Sequence, residues 1–521
     1  MTIRRVILAL LTILAIVQIG SSLKNSFSQP QIQSRLELYQ TNLVLQVAEF
    51  KTSPTDDFDL NSAVSSLVGQ DPYDAASKKY QQVRQESVTS RDKFQSQLQQ
   101  LSQAESSAIE VADPTITTTN NLALKTQLKQ EIVELNQFVN ELDLKQGILF
   151  GVQNKSAEAI ALWQQVIERL DNSNRYAQTA TVLKQLWQNK TEELGTGGVA
   201  IINSNLDGWF RYQALVKYDQ VNHLKEDLAL LQAQESNIAT NSIFKLALIS
   251  GIPVFGGIGG VILLVFLIIQ RFVKPEEAII TTNGQTGWKT PWDWEITWQV
   301  LIVGFFFVGQ FLLPIIISLA GINPSGSSLR IKALYVLGTY ILMAVGGISV
   351  LFLSLKSYFP LPEEWFRFKF NANWFVWGFG GYLVAIPLVL LVSALNQQIW
   401  HGQGGSNPLL FLALQAQDQV ALLIFFSTAS IAAPIFEEIM FRGFLLPSLT
   451  RYTSVNGAIV ISGFIFAVAH LSLAEVLPLA TLGIVLGFVY TRSRNLLAPM
   501  LLHCLWNSGT LVSLFVLGSG V

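Results

Sequence analysis

From residue 243 onward the chain is a succession of apolar runs, each about as long as a bilayer is thick. A helix crossing hydrocarbon needs about 20 mainly apolar residues, since its backbone groups must bond to one another where no water reaches. Leu246–Gln270, Gln299–Ala320, Ala333–Leu355 and Trp374–Ala394 meet that requirement. Val420–Leu446, Val455–Leu471, Val476–Tyr490 and Leu496–Leu517 follow in tighter succession. The middle two of these are short for a full crossing, which predicts a kinked or partly re-entrant path. Charge divides the chain the same way: residues 1–242 hold 47 of the 70 Asp, Glu, Lys and Arg side chains, leaving 23 for the rest. The expected fold is all-α: a polytopic membrane helical bundle of about eight helices after residue 243, with an extracytoplasmic helical domain before it.

A further apolar stretch, Val6–Gly20, follows Arg4 and Arg5 and reads as a signal anchor or a signal peptide. No small-x-small cleavage site precedes Ser21, which favours the anchor. With the N-terminus inside, the inner loops and helix ends carry Arg271, Lys274, Lys289, Lys356, Arg367, Lys369, Arg442, Arg451, Arg492 and Arg494. The outer loops after residue 270 carry only Arg330 and Lys332, so the positive-inside bias is strong. This predicts a multi-pass protein of the plasma (inner) membrane with residues 24–242 outside the cytoplasm. Trp288, Trp292, Trp294, Trp298, Trp365 and Trp374 flank spans where interfacial aromatics are expected.

Residues 24–242 are rich in Gln, Leu, Ala and Ser, with apolar residues at helical spacing, as in Leu36, Tyr39, Leu43 and in Leu183, Leu186, Trp187. Lys145–Glu168 resembles a tetratricopeptide-type helix pair, with Gly147 and Gly151 as small contact positions, and the likeness extends over about 145–190. Such a domain suits protein contact or spacing, so a protein partner is expected for it. His223 and Asp207 have no partner in the local sequence and read as solvated. The implied boundaries are 1–23 for the anchor, 24–242 for the outer domain, 243–408 for membrane helices and 409–521 for a catalytic domain.

Ionisable groups inside spans are costly and rare, so each calls for a function. The last hundred residues hold four within apolar surroundings: Glu437 and Glu438 in APIFEEIMFRG, His470 in FIFAVAH and His503 in PMLLHCLWNSG. Glu438 and Arg442 are four apart on one helix face in the favourable acid-before-base order. Glu437 is rotated about 100° from Glu438 and lacks a local cation, which suits a chemically active carboxylate. Phe466 with His470, and His503 with Asn507, repeat the four-residue offset on two further helices. At about 1.5 Å per residue, Glu437 and His470 lie about 20 Å from the inner boundary and His503 and Asn507 about 10–20 Å, so all four can converge.

Together, Glu437-Glu438-x-x-x-Arg442, Phe466-x-x-x-His470 and His503-x-x-x-Asn507 resemble the three-motif signature of the CAAX-protease and bacteriocin-processing (Abi) family of intramembrane proteases, over residues 409–517. The resemblance implies a glutamic-type intramembrane endopeptidase. In it Glu437, helped by His470, would activate water, His503 and Asn507 would form an oxyanion hole, and Glu438 and Arg442 would organise the helix. It implies no cofactor, membrane lipid as surroundings and a protein or peptide as substrate.

Plainer readings stand beside it. His and Asn are common interhelical glue, which accounts for Asn507 taken alone. Glu437, His470 and His503 would also make a His₂Glu zinc set, although no HExxH is present. Asp418 and Glu475 read as interfacial, and His401 as part of a Gly-rich loop, all three solvated. Cys504 points about 100° away from His503, so no thiol dyad forms. A non-catalytic membrane interaction or bacteriocin self-immunity protein is the alternative function, and a transporter is weaker because no inverted repeat is visible. The near-neutral net charge of −2 gives no field for nucleic acid.

Overall fold

The computed structural model describes residues 2–518 except 28, 30, 51–63, 65–67, 109–116, 191–196, 325, 401–402, 407–409, 411 and 413–417. Helices account for nearly all of the described chain, an all-α architecture. The chain opens with α1 (Ile3–Ser26). Then come α2 (Ile32–Ala48), α3 (Pro72–Ala108), α4 (Thr117–Val152), α5 (Ser156–Arg169), α6 (Arg175–Trp187), α7 (Gly197–Asn205) and α8 (Gly208–Val221). The long α9 (Lys225–Val273) leads to α10 (Trp294–Leu319), α11 (Leu329–Leu355) and α12 (Trp374–Trp400). The last are α13 (Gln419–Leu449), α14 (Val455–Val468), α15 (Leu473–Ser493) and α16 (Leu497–Gly518). Two compact units result: Ser28–Ile249, and Met1–Phe27 with Ser250–Gly518.

In the first unit a core of large side chains, among them Tyr80, Trp163, Trp209 and Phe210, is fully buried. Helix α4 packs closely on α5 through Gly147 and on α6 through Gly151, and both approaches depend on glycine. A Cβ on Gly147 would sit 2.3 Å from Trp163 Nε1, and one on Gly151 would sit 2.1 Å from Trp187 Nε1. Lys145 is buried but satisfied by Glu141 at 2.7 Å and Asp207 at 2.9 Å. Asp207, read as solvated, keeps a half-exposed side chain and is also ion-paired, to a partner far away in sequence. His223 is exposed, as expected.

Among the described residues eight helices are long and apolar enough to cross a membrane, counting α1 and α9, and the shorter α14 joins them. At 14 residues α14 spans only about 21 Å, the short element expected there. The segment expected at Val476–Tyr490 is instead the 21-residue α15, about 31 Å long and sufficient for a crossing. Its first turn was hidden because Ser472–Glu475 reads as polar. Leu471, in the left-handed region at φ 59°, turns the chain from α14 into α15. The two helices then touch backbone to backbone, since a Cβ on Gly483 would lie 2.8 Å from Gly463 Cα.

Side-chain caps fix several starts. Asp293 accepts from the amides of Glu295 and Ile296, Asp418 from Val420 and Ala421, and Ser454 from Gly457. Asp418 is also ion-paired with Arg330 at 2.6 Å, a role beyond simple solvation. Trp288, Trp292 and Trp365 are buried in the protein and do not form an interfacial belt, whereas Trp294 is exposed. Trp292 donates to Ser448 Oγ at 2.9 Å and packs against Trp365 and Phe444. Helix α1 belongs to the second unit: Thr12 Oγ1 accepts from Trp298 at 2.8 Å, and Arg5 pairs with Glu295 at 3.0 Å.

Gly147→Val should overpack the contact of α4 with α5 and destabilise the first unit by about 1–3 kcal/mol. In the detergent-solubilised full-length protein, limited proteolysis between residues 145 and 187 should begin at lower urea than in wild type.

Candidate active site

Helix α13 carries the acidic pair and departs from a regular α-helix on either side of it. Wide π-type turns over Thr428–Ala432 and Ile439–Leu445 bracket the α-helical Ala433–Glu438. Such turns are rare and recur at functional sites, where they change the direction in which neighbouring side chains point. Pro434 lies in the first turn of the middle segment and has no N–H to donate to the turn before it. In that preceding turn the carbonyl of Ala429 is taken by Asn507 Nδ2 at 2.7 Å. Asn507 is therefore held against α13 from α16, and its amide keeps a second N–H.

The two glutamates face different surroundings, as the 100° rotation predicted. Glu438 is fully buried, and its Oε1 accepts from Arg442 Nη1 at 2.9 Å and from His503 Nδ1 at 2.8 Å. Arg442, also fully buried, spends Nη2 on the carbonyl of Gly483 at 3.0 Å and lies 4.5 Å from the centre of the Phe466 ring. Phe466 in turn meets the rings of His470 and His503 edge-on at 4.9 and 5.6 Å. Glu437 retains slight exposure, with Oε2 3.9 Å from His503 Nε2 and Oε1 3.1 Å from the Tyr340 hydroxyl.

A cavity of about 380 Å³ is lined by Glu437, His470, Glu475, His503 and Asn507, with Tyr340 on its wall. The four groups singled out for chemistry thus share one chamber, and Glu438 and Arg442 stand behind them. Hydrogen bonding fixes how the imidazoles present themselves. His470 Nδ1 lies 2.9 Å from the carbonyl of Phe466, which can only accept, so Nδ1 is protonated and Nε2 is its free position. His503 Nδ1 likewise faces a carboxylate, leaving Nε2 toward Glu437.

Three placements went beyond the sequence reading. Glu475, expected to be solvated, lies in the cavity wall. Glu438 holds His503 as well as Arg442, a contact between helices that spacing along one helix cannot reveal. Tyr340 comes from α11, outside every motif; its signal was a hydroxyl-bearing ring midway along an apolar span, away from the interfaces where tyrosine usually sits. Among the described residues no three His, Cys, Asp or Glu side chains are grouped closely enough to hold a metal ion. His401 lies outside the described residues.

Residues 419–509 match the family model described as type II CAAX prenyl endopeptidase, Rce1-like. The chain is 25% identical over 219 residues to the "Membrane-embedded CAAX protease MroQ" of Staphylococcus aureus (strain USA300), covering 40% of this chain and 85% of that protein. It is 27% identical over 133 residues to the "Putative membrane peptidase YdiL" of Bacillus subtilis (strain 168), covering 26% of this chain and 53% of that one. No solved structure matches.

Arg442→Met would leave Glu438 as an uncompensated buried carboxylate, a loss of about 3–5 kcal/mol. The full-length variant in detergent should melt well below wild type, with Arg442→Lys falling between the two.

Proposed function

We propose that this protein is a membrane-embedded endopeptidase in which Glu437 and His470 activate a water to hydrolyse a peptide bond within or beside the bilayer, a reading supported by the match of residues 419–509 to the Rce1-like CAAX prenyl endopeptidase model. The observation that carries the reading is the shared chamber, in which a carboxylate, two imidazoles and an amide from α13, α16 and the turn after α14 face one space.

In this mechanism water attacks the scissile carbonyl carbon and Glu437 takes its proton as the carbon–oxygen bond forms. The Nε2 lone pair of His470 accepts from the same water and orients it. Negative charge collects on the former carbonyl oxygen, where Asn507 offers its second amide N–H and His503 offers Nε2–H. With Nδ1 already donating to Glu438, an Nε2 donor requires His503 as imidazolium. The tetrahedral intermediate then collapses, the carbon–nitrogen bond breaks, and the proton held by Glu437 passes to the leaving amine. Glu438 and Arg442 serve to hold His503 and the helix in place.

The proposed setting is the plasma (inner) membrane, with the N-terminus cytoplasmic and residues 24–242 outside, as the Lys/Arg asymmetry supports. In that position the helical segment recruits a substrate or a protein partner.

A quenched-fluorescent peptide, selected from a random apolar library for cleavage by wild-type protein in phosphatidylcholine vesicles, provides the assay. Glu437→Gln should lower kcat by about 10³-fold or more and His470→Ala by about 10²–10⁴-fold. Asn507→Ala should cost about 10²–10³-fold. Undiminished cleavage by Glu437→Gln would end the reading. A cellular phenotype that survives Glu437→Gln, His470→Ala and His503→Ala together would favour a non-catalytic binding role.

A further inference from the structure

We propose that Tyr340 is the positioning residue for the catalytic carboxylate, delivered by α11 from outside the family-matched stretch 419–509; this rests on Glu437 being the base. A carboxylate base must keep one oxygen aimed at the water, yet the terminal torsion of a glutamate is broad and two-fold soft. One oxygen therefore has to be tethered if the other is to be aimed. The Tyr340 hydroxyl donates to Glu437 Oε1 at 3.1 Å, while Oε2 lies on the His503 side, 3.9 Å from Nε2. A phenol suits the task because, with an ordinary pKa of about 10, it donates a hydrogen bond without competing for the proton that Glu437 must carry. The other acceptor near the hydroxyl, the carbonyl of Ala433, is more distant at 3.5 Å.

The tether is built into the packing of two helices. The Tyr340 ring meets Phe436 edge-on at 6.1 Å. Two turns further along α11, a Cβ on Gly347 would come within 2.9 Å of both the Phe436 ring and the carbonyl of Gly304. Glycine at 347 thus lets α11 approach α13 and α10 closely enough for Tyr340 to reach across. Tyr340 also lines a second cavity, a groove of about 690 Å³ between α10 and α11, and so stands in the wall between that groove and the catalytic chamber. The groups around Glu437 are His503 on its other side, His470 and Glu475 across the cavity, and Glu438 with Arg442 behind.

Tyr340→Phe keeps the ring and removes the oxygen alone. In the vesicle assay with the library-selected peptide, full-length Tyr340→Phe should show kcat reduced about 10–100-fold, the scale for losing a hydrogen bond to a charged group. KM should stay within about twofold and the melting temperature should not change. The acidic limb of the pH–rate profile should move to higher pH, because the ionised carboxylate has lost a donor. Tyr340→Leu should show the same fall in kcat. Wild-type kcat and pH profile in Tyr340→Phe, with Glu437→Gln inactive, would overturn the tether and leave the base in place. Full activity in Glu437→Gln would overturn both. A matching fall in kcat and melting temperature, with the pH profile unmoved, would make Tyr340 merely structural and also overturn the proposal.

Discussion

The membrane unit depends on one buried charge, the carboxylate of Glu438. Placed among apolar helices with no access to water, a lone carboxylate would be too costly to keep, so its partners must be present for the helices to pack. Arg442 supplies the cation from the next turn of α13 and His503 supplies a donor from α16. Arg442 then extends the arrangement to α15 through Gly483 and to α14 through the face of Phe466. Four helices are thereby referred to one oxygen atom. The glycine contact between α14 and α15 completes this, since it leaves the carbonyl of Gly483 where the guanidinium can reach it.

Against that fixed frame, the residues facing the chamber are held by single, directional bonds. Asn507 is set by a carbonyl in the turn preceding a proline, His470, in the turn after α14, by a carbonyl of that helix, and Glu437 by a hydroxyl from a neighbouring helix. Each of these bonds uses one donor or acceptor of its group and leaves a second for the cavity. The rigid pair and the facing glutamate are adjacent in sequence. The helical rotation between them separates a fully buried, ion-paired carboxylate from one that faces the cavity.

Much of this was legible in the residues. The length of the apolar runs specifies membrane helices, and ionisable groups are so disfavoured there that Glu437, His470 and His503 stand out. Spacing by four found the Glu438–Arg442 pair because both lie on one helix. What spacing could not find lies between helices: the Glu438–His503 contact, the reach of Tyr340, and the pairing of Asp207 with Lys145. Tryptophans misled for a related reason. An indole beside a span fits the lipid interface by composition, yet Trp288, Trp292 and Trp365 pack against Tyr490, Ser448, Phe444 and one another. Polar first turns misled as well, since Ser472–Glu475 begins α15 and also contributes Glu475 to the cavity.

Helix α1 brings the beginning of the chain into this arrangement. Thr12 bonds Trp298, and the hydroxyl of Ser26 accepts from the backbone amide of Leu473, at the start of α15 and three residues beyond His470. Ribosomes make proteins from the N-terminus, at about 5–20 residues per second. The first helix must therefore wait through most of synthesis before its last partner exists. The cavity, whose lining includes His503 and Asn507 of the last helix, is likewise completed only when nearly the whole chain has been made.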